Sequence, residues 1–317
     1  MAKLGRLEMV LSQLPDISLA EFNFLDSSFF SSQYGACTCR KLPSPQEVLG
    51  ASGTPSGYDG VWHFQELGVL IKFGHPSRVD LEEALALRFI NKMFPADEVP
   101  APEVFGWKST RDHPGYESNF IYMSFLPGQT LRDAWETLSQ EDKASVSQQL
   151  AGIVKRLRSV ERGPADQFIV GSLSRGPVQD VYFSPDQHKG PFASAREFHD
   201  FVQYVSAAWV PVEERDPDPF RVMLPDTARR LTHGDLHLAN ILVLRSPDGS
   251  QISVSGMVDW EQAGWYPDYW EYCKAMIVGP YGDEWREAGW VDIVLQPCEC
   301  EFEAFEAFEF YWGSRCP

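Results

Sequence analysis

The sequence has no long apolar run. No stretch of its 317 residues approaches the roughly 18 consecutive apolar residues of a membrane-spanning helix. The segment from Met1 to Leu14 also lacks the apolar core and the small-residue cleavage pattern of a secretory signal. These absences predict a cytoplasmic protein with no membrane partner.

Positive charge is also scarce. The chain carries 27 Lys and Arg against 45 Asp and Glu, which gives a formal net charge of -18. A nucleic-acid partner is therefore not expected, because phosphate backbones are bound through Lys and Arg. The acidic balance is compatible with a cationic substrate, although an acidic soluble surface explains it as well.

Cysteine is sparse, and the six residues include two close pairs, Cys37/Cys39 and Cys298/Cys300. Without a secretory signal, the default state of these thiols is reduced. Paired cysteines can bind zinc, but a one-residue gap is tighter than the usual two-residue gap. We expect these thiols to have a structural role.

The remaining composition is that of an ordinary globular protein, with 44% hydrophobic and 23% charged residues. The length allows one large domain or two packed lobes. Strand-like segments dominate before residues 124–130, and helical segments dominate after them. We expect an α+β fold, with an N-terminal lobe and a variable extension over residues 1–126 and a larger, mainly helical lobe over residues 127–317.

Local patterns predict individual elements. Residues 43–60 are dense in Gly, Pro and Ser and predict a loop. The apolar run 67–73 predicts a strand with Lys72 near its end, and Asp80 is a candidate cap for a helix that reaches about Phe94. Further strands are expected at 104–107 and 120–125, and helices at 130–136, 139–160, 194–209 and 299–312.

Two sequence details refine the helical part. Ser139 and Asp142 form an acidic variant of the capping box at the start of the second of these helices. The aromatic stripe Phe305, Phe308 and Trp312 in the last helix is typical of core packing.

The most informative segment covers residues 231–244. It holds His233, Asp235 and Asn240 in the order His-x-Asp-x-x-x-x-Asn. An apolar strand follows, then a Ser-Pro-Asp-Gly turn, and then a second strand that ends on Asp259-Trp-Glu. Because such a turn between alternating strands is typical of a hairpin, we expect Asn240 and Asp259 to approach each other.

These residue types suit phosphoryl transfer. A triphosphate is chelated by Mg²⁺, which prefers oxygen ligands, and Asn240 and Asp259 would offer an amide and a carboxylate oxygen. Asp235 would be a separate carboxylate that accepts the proton of a substrate hydroxyl. His233 is expected to orient the loop through hydrogen bonds. The segment therefore suits the ATP- and Mg²⁺-dependent transfer of a phosphoryl group to a hydroxyl.

The motif and its surroundings resemble the aminoglycoside phosphotransferase and choline kinase-like family. The resemblance is carried by His-Gly-Asp-Leu-His-x-x-Asn-Ile-Leu-Val, the hairpin and Val-Asp-Trp-Glu, and segments 190–200 and 263–272 are similar to its fungal branch. It implies a bilobal protein-kinase-like fold with a small antiparallel-sheet N-lobe and a C-terminal catalytic and substrate lobe. It also implies a phosphotransferase that acts on an alcohol group of a small molecule. It also implies that Asp235 is the catalytic base and that Asn240 and Asp259 are magnesium ligands.

The resemblance also implies a nucleotide site in the N-terminal part. Lys72 matches the strand lysine that contacts the α- and β-phosphates of ATP. Glu83 matches the helix glutamate that pairs with this lysine, and Glu82 is the competing choice. Ser124, through its carbonyl, and Leu126, through its amide, match the segment that binds the adenine edge.

Some family features are missing, and alternatives stay open. No clear glycine-rich loop on a hairpin precedes Lys72, and Leu238 stands where a proline is common. The absence of Asp-Phe-Gly and Ala-Pro-Glu segments disfavours a protein kinase. The alternatives are a catalytically silent kinase-like protein that binds a ligand or partner, a transferase of another part of ATP such as adenylyl, and a zinc hydrolase suggested by the alternation of His233, Asp235 and His237.

Aromatic and acidic residues follow the second strand. Trp260, Trp265 and Trp270 could stack on a substrate ring, but core packing is the favoured interpretation. Asp268 and Glu271 could line a site for a cationic substrate, but capping of a helix is favoured.

Overall fold

The computed structural model describes residues 5–31, 40–55, 58–111, 117–160, 170–183, 189–206, 219–227, 229–278 and 282–313. The chain divides into two compact units. The first contains Met1–Pro127 and Ser255–Glu261, and the second contains Gly128–Val254 and Gln262–Pro317. Sequence patterns did not indicate that the short segment with Asp259 belongs to the first unit. Every helix of the described residues is too short or too polar to cross a bilayer.

The first unit contains a five-stranded antiparallel sheet. Its strands are Glu21–Asn23 (β1), Gly60–Phe64 (β2), Val69–Gly74 (β3), Val104–Thr110 (β4) and Ser118–Ser124 (β5). Their order across the sheet is β1-β4-β5-β3-β2. The expected strands correspond to β3, β4 and β5, whereas β1 and β2 were not predicted from the sequence.

Strand β3 separates Lys72 from the apolar side chains of the same strand. Val69, Ile71 and Phe73 alternate along the strand and are buried in an apolar cluster that includes Tyr122. Because side chains alternate between the faces of a sheet, Lys72 points away from that cluster. The strand thus presents one cation on the face opposite its core.

The loop predicted over residues 43–60 is partly wrong, because Pro45–Ser52 forms a helix (α3). Ser44 and Glu47 form a complete capping box, in which the Ser44 hydroxyl accepts from the Glu47 N–H and the Glu47 carboxylate accepts from the Ser44 N–H. Val48 is fully buried and belongs to the apolar cluster under β3. The sequence Ser-Pro-Gln-Glu carries this helix signal, but the surrounding Gly and Pro residues obscured it.

The helix expected after Asp80 is Glu82–Met93 (α4). The Asp80 carboxylate accepts a hydrogen bond of 2.9 Å from the backbone N–H of Glu82, so it stabilises the N-terminus of the helix as predicted. The first unit also contains the short helices Arg6–Leu11 (α1) and Ser28–Ser31 (α2).

The second unit is mainly helical. Its α-helices are Leu131–Ala134 (α5), Gln140–Arg158 (α6), Ala195–Ser206 (α7), Trp270–Ile277 (α8), Glu284–Glu287 (α9), Trp290–Val294 (α10) and Glu299–Gly313 (α11). The four predicted helices correspond to α5, α6, α7 and α11, although residues 207–209 lie outside the described part of the chain. The capping box of Ser139 and Asp142 is confirmed.

Six further strands of the described residues are short. They are Gln129–Thr130 (β6), Gly171–Ser172 (β7), Arg229–Thr232 (β8), Ile241–Arg245 (β9), Ile252–Met257 (β10) and Gly264–Pro267 (β11). They form two sheets, in the orders β10-β9-β6 and β7-β11-β8. The predicted hairpin is confirmed as β9 and β10.

The core packing expected for the aromatic residues is confirmed for those whose side chains are described. Trp265, Trp270, Phe305 and Phe308 are buried in the second unit, and Trp260 is buried in the first. The side chain of Trp312 lies outside the described residues, as do Cys37 and Cys39. Cys298 and Cys300 are free thiols.

Candidate active site

In the first unit, Lys72 lies among three carboxylates. Its ammonium nitrogen is 2.9 Å from Glu83, 2.5 Å from Asp259 and 2.9 Å from Glu261. Glu83 comes from α4, whereas Asp259 and Glu261 come from the segment that follows β10. We call these four residues the Lys72 cluster.

Burial and charge have opposing effects in the Lys72 cluster. Burial alone would lower the pKa of Lys72, but the three carboxylates outweigh it and raise that pKa well above its ordinary value. Burial raises the pKa of Glu83 to about 7, although the Lys72 ammonium acts against this rise. With three carboxylates around one ammonium, the cluster can attract a further cation.

The backbone of Asp259 is unusual. Its φ angle is 66°, in the left-handed region that non-glycine residues seldom adopt. Asp is one of the few residues that tolerates this region, and such conformations concentrate at functional sites. This conformation is the one in which the Asp259 carboxylate contacts Lys72.

Glu83, the glutamate chosen over Glu82, is the one that contacts Lys72. The predicted adenine segment lies at the end of β5. The backbone N–H of Glu82 bonds to Asp80, while Glu83 supplies the carboxylate that contacts Lys72. Ser124 ends β5 opposite Val69, and Leu126 is half-buried two residues later. The nucleotide contacts of these residues stay predictions.

In the second unit, residues 233–240 form a loop between β8 and β9 that we call the motif loop. The side-chain nitrogen of Asn240 donates two hydrogen bonds of 3.0 Å, one to the backbone carbonyl of Asp235 and one to its Oδ2 atom. Both amide hydrogens of Asn240 are therefore used within the loop. The amide oxygen is the atom that can serve as a ligand.

Two histidines contact Asp235, one at its backbone N–H and one at its carboxylate. The Nδ1 atom of His233 accepts from the backbone N–H of Asp235 at 3.3 Å, as expected for a residue that orients the loop. The Nε2 atom of His237 lies 3.4 Å from Asp235 Oδ2. Burial acts to raise the pKa of Asp235, but His237, His233 and Lys274 outweigh it and hold that pKa below its ordinary value. Asp235 is therefore ionised at neutral pH and can accept a proton.

A buried carboxylate holds the start of the motif loop. Glu271, on α8, accepts hydrogen bonds from the backbone N–H groups of His233 at 2.6 Å and Gly234 at 3.1 Å. Glu271 is only 5% exposed, so it neither caps α8 through its side chain nor lines an open surface. Both sequence interpretations of Glu271 were wrong, because its partners are 37 and 38 residues away in the chain.

Gly234 is required by the same packing. Its φ angle is 84°, and a Cβ atom there would lie 2.5 Å from the backbone oxygen of Gln262. The side chain of Gln262 in turn accepts from Lys274, whose ammonium also pairs with the buried Asp180 at 2.8 Å. The motif loop thus rests on a buried hydrogen-bonded layer of α8 and the segment after Asp259.

The zinc interpretation gains no support from the described residues. Within them, the one group of three His, Cys, Asp or Glu side chains with mutually close ligand atoms is Glu83, Asp259 and Glu261. Both His233 and His237 use Nδ1 to accept backbone N–H groups.

Comparisons with known proteins identify the family of the chain. The sequence model described as the phosphotransferase enzyme family matches residues 52–293, about three quarters of the chain. The chain therefore belongs to that family. A search of curated proteins finds no match.

Solved aminoglycoside phosphotransferase structures are similar to this chain. The streptomycin–ATP ternary complex of APH(2")-IIa has a TM-score of 0.50 and 12% sequence identity, over 86% of this chain and 90% of the other. The GDP complex of aminoglycoside 2'-phosphotransferase-IIIa gives 0.49 and 15%, over 98% and 90%. A hygromycin B and ADP complex of an APH(4)-Ia mutant gives 0.46 and 15%, over 78% and 79%. The expected α+β, protein-kinase-like fold class is confirmed.

Proposed function

We propose that the protein is an ATP- and Mg²⁺-dependent phosphotransferase that moves the γ-phosphoryl group to a hydroxyl of a small molecule, with Asp235 as the base. One observation carries the proposal. In a chain that matches the phosphotransferase enzyme family, Asp235 is ionised and its Oδ2 atom is fixed by Asn240. Its Oδ1 atom is then the oxygen that would accept the hydroxyl proton as the phosphoryl group is transferred.

The donor set fits Mg²⁺. The amide oxygen of Asn240 and the carboxylate of Asp259 are the hard oxygen ligands that this ion prefers. Asn240 belongs to the second unit and Asp259 to the first, and their sharing of one ion is part of the proposal. When bound, the ion would neutralise phosphate charge during transfer.

The nucleotide would be bound through residues of the first unit. We propose that the Lys72 ammonium contacts the α- and β-phosphates and that Glu83 keeps this ammonium oriented, which their 2.9 Å ion pair supports. Phosphate oxygens would then take the place of Asp259 and Glu261 beside the ammonium. The Ser124 carbonyl and the Leu126 amide would bond to the adenine edge.

The acceptor is proposed only as a class. The net charge of -18 is compatible with small molecules that carry amino groups as well as a hydroxyl. Amino sugars and choline-like amino alcohols are the first compounds to test.

A two-stage experiment tests the function. Millimolar ATP with Mg²⁺ should raise the melting temperature, since a ligand that binds only the folded state stabilises it. ATP consumption is then screened against hydroxyl-bearing amines, and the product mass should increase by one phosphoryl group. An adenylyl mass increment would identify the alternative transfer. The absence of both a thermal shift and turnover would contradict the proposal.

A silent kinase-like protein is the second candidate, because of the region before Lys72. In the described part of that region, α3 occupies residues 45–52, and the β2–β3 turn, Gln-Glu-Leu-Gly, has a single glycine. A protein that lacks a glycine-rich phosphate cover could bind a nucleotide or partner without transfer. ATP binding without turnover on any acceptor, and with no hydrolysis, would favour this candidate.

A further inference from the structure

His237 faces two different parts of the motif loop through its two ring nitrogens. Its Nδ1 atom accepts from the backbone N–H of Ala239 at 3.2 Å, and its Nε2 atom lies 3.4 Å from Asp235 Oδ2. The side chain is 25% exposed. The ring therefore bridges the base and the 3-10 helix Leu238–Asn240.

The Ala239 contact fixes the position of the ring proton. A neutral imidazole has one nitrogen that donates and one that accepts. Because the Ala239 N–H points its hydrogen at Nδ1, the proton of the neutral ring resides on Nε2. His237 thus presents an N–H to the Asp235 carboxylate.

This donor complements that of Asn240. Asp235 Oδ2 faces the Asn240 amide at 3.0 Å and the His237 ring at 3.4 Å. Two donors on one oxygen restrict rotation of the carboxylate and leave Oδ1 as the reacting atom. A second proton on Nδ1 would break the Ala239 contact, so the ring is suited to hold Asp235 rather than to relay its proton.

We propose that His237 is a positioning residue for Asp235, which it holds through Nε2–H in the orientation needed for proton acceptance. The effect on turnover rests on the proposed function of Asp235 as the base. The contact itself does not depend on that function.

A purely structural role is the competing explanation, because His237 also caps the 3-10 helix that carries Asn240. The two roles use different atoms and can be separated by substitution. Asn places an acceptor where Nδ1 was and keeps the cap, but it cannot reach Asp235. Gln places a donor where Nε2 was, but it loses the cap.

The kinetic test compares His237→Ala, His237→Asn and His237→Gln. We expect His237→Ala to lower kcat about 10-fold or more, since small misplacements of reacting groups have effects of this size, with KM for ATP nearly unchanged. His237→Gln should recover most of that loss, and His237→Asn should recover little.

His75→Asn is the control, because His75 Nδ1 also accepts a backbone N–H two residues later, and it should turn over like the parent. Recovery by Asn and not by Gln would overturn the proposal.

A spectroscopic measurement tests the contact between His237 and Asp235 without an activity assay. In ¹⁵N-histidine-labelled protein at about pH 8, where imidazoles are mostly neutral, His237 should show a protonated Nε2 and an unprotonated Nδ1. Its signal is assigned by its loss in His237→Gln. Asp235→Ala should shift the Nε2–H resonance. The opposite tautomer, or a resonance that does not respond to Asp235, would overturn the proposal, whereas a parent without turnover would overturn only the proposed function.

Discussion

The Lys72 cluster of the first unit and the motif loop of the second unit are stabilised in different ways. The cluster is held by ion pairs between side chains, with Glu83, Asp259 and Glu261 around one ammonium. The loop is held through its backbone, which donates to the buried Glu271. Each region contains a buried glutamate whose pKa burial raises to about 7, but Glu83 faces an ammonium and Glu271 faces two N–H groups.

This difference suits the two tasks proposed for the regions. Ion pairs between side chains can exchange partners when phosphates and a cation bind. Hydrogen bonds from a buried carboxylate to the backbone fix a loop in one conformation, since their loss leaves buried N–H groups without partners. Under the proposed function, the first region would accept charged ligands and the second would hold one carboxylate in place.

The largest expected effect comes from the base itself. Asp235→Asn keeps the shape of the side chain but cannot accept a proton, so turnover should fall about 10²-fold or more. The thermal shift produced by ATP and Mg²⁺ should persist, because the Lys72 cluster is unchanged. Steady-state kinetics and thermal shift on the same samples check this, and parental turnover would refute the role of Asp235.

Removal of the cation from the Lys72 cluster should affect stability. Lys72→Met leaves the buried Glu83 without its counter-ion and should cost about 3 kcal/mol of unfolding free energy. Lys72→Met combined with Glu83→Gln should cost less than Lys72→Met alone, because no buried charge is then uncompensated. Urea unfolding measures both, with the exposed Lys155→Met as control. Simple additivity of the two substitutions would contradict an ion-paired cluster.

The buried glutamate of the motif loop should give a pH dependence. Burial, partly offset by the N–H groups of His233 and Gly234, raises the pKa of Glu271 from 4.5 to about 7. Between these values the folded protein retains a proton that the unfolded chain releases, so the unfolding free energy falls as pH rises through this interval. Titration of Glu271 lowers the unfolding free energy by an amount on the order of 3 kcal/mol. The decrease is complete above about pH 7 and does not recover at higher pH.

Glu271→Gln removes this titration. Urea unfolding of the parent and of Glu271→Gln at pH 5 and pH 8 should show a smaller decrease with pH in the variant. Equal pH dependence in the two proteins would show that Glu271 does not titrate as described.

The smallest expected effect tests the close approach behind Gly234. Gly234→Ala and Gly249→Ala both place a Cβ on a left-handed residue, with φ of 84° and 74°. Only the Cβ at 234 meets another atom within 4 Å, the backbone of Gln262. Both should lose stability, and Gly234→Ala should lose about 1–3 kcal/mol more. Equal losses in thermal unfolding would remove the argument that packing against Gln262 shapes the loop.

Local signals in the sequence predicted much of the fold. Ser139 and Asp142 marked the start of α6, and the Ser-Pro-Asp-Gly turn marked the β9–β10 hairpin. The same capping signal at Ser44 was overlooked amid Gly and Pro residues. Strand β1 has only three residues and is defined by its pairing with β4, a long-range contact that no local pattern encodes.

The candidate site shows the same contrast between local motifs and long-range contacts. Lys72, Glu83, Asp235, Asn240 and Asp259 stand in recognisable motifs, so the sequence indicated them. The supporting roles of Glu261, Glu271 and His237 were missed, because these roles depend on what the side chains contact in three dimensions. Glu261 does follow Asp259 in the Asp-Trp-Glu segment, and that spacing was a signal that could have been used.

The most direct measurement concerns the ion that Asn240 and Asp259 are proposed to share. Calorimetric titration of a non-hydrolysable ATP analogue, with and without Mg²⁺, is compared for the parent, Asn240→Ala, Asp259→Ala and the exposed Asp97→Ala. In the presence of Mg²⁺, we expect both site variants to bind the ATP analogue about 10-fold or more weakly than the parent. Without Mg²⁺, they should bind the nucleotide no more weakly than the parent. Asp97→Ala should match the parent under both conditions. Parental affinity with Mg²⁺ in either site variant would contradict the shared ion and the mechanism proposed from it.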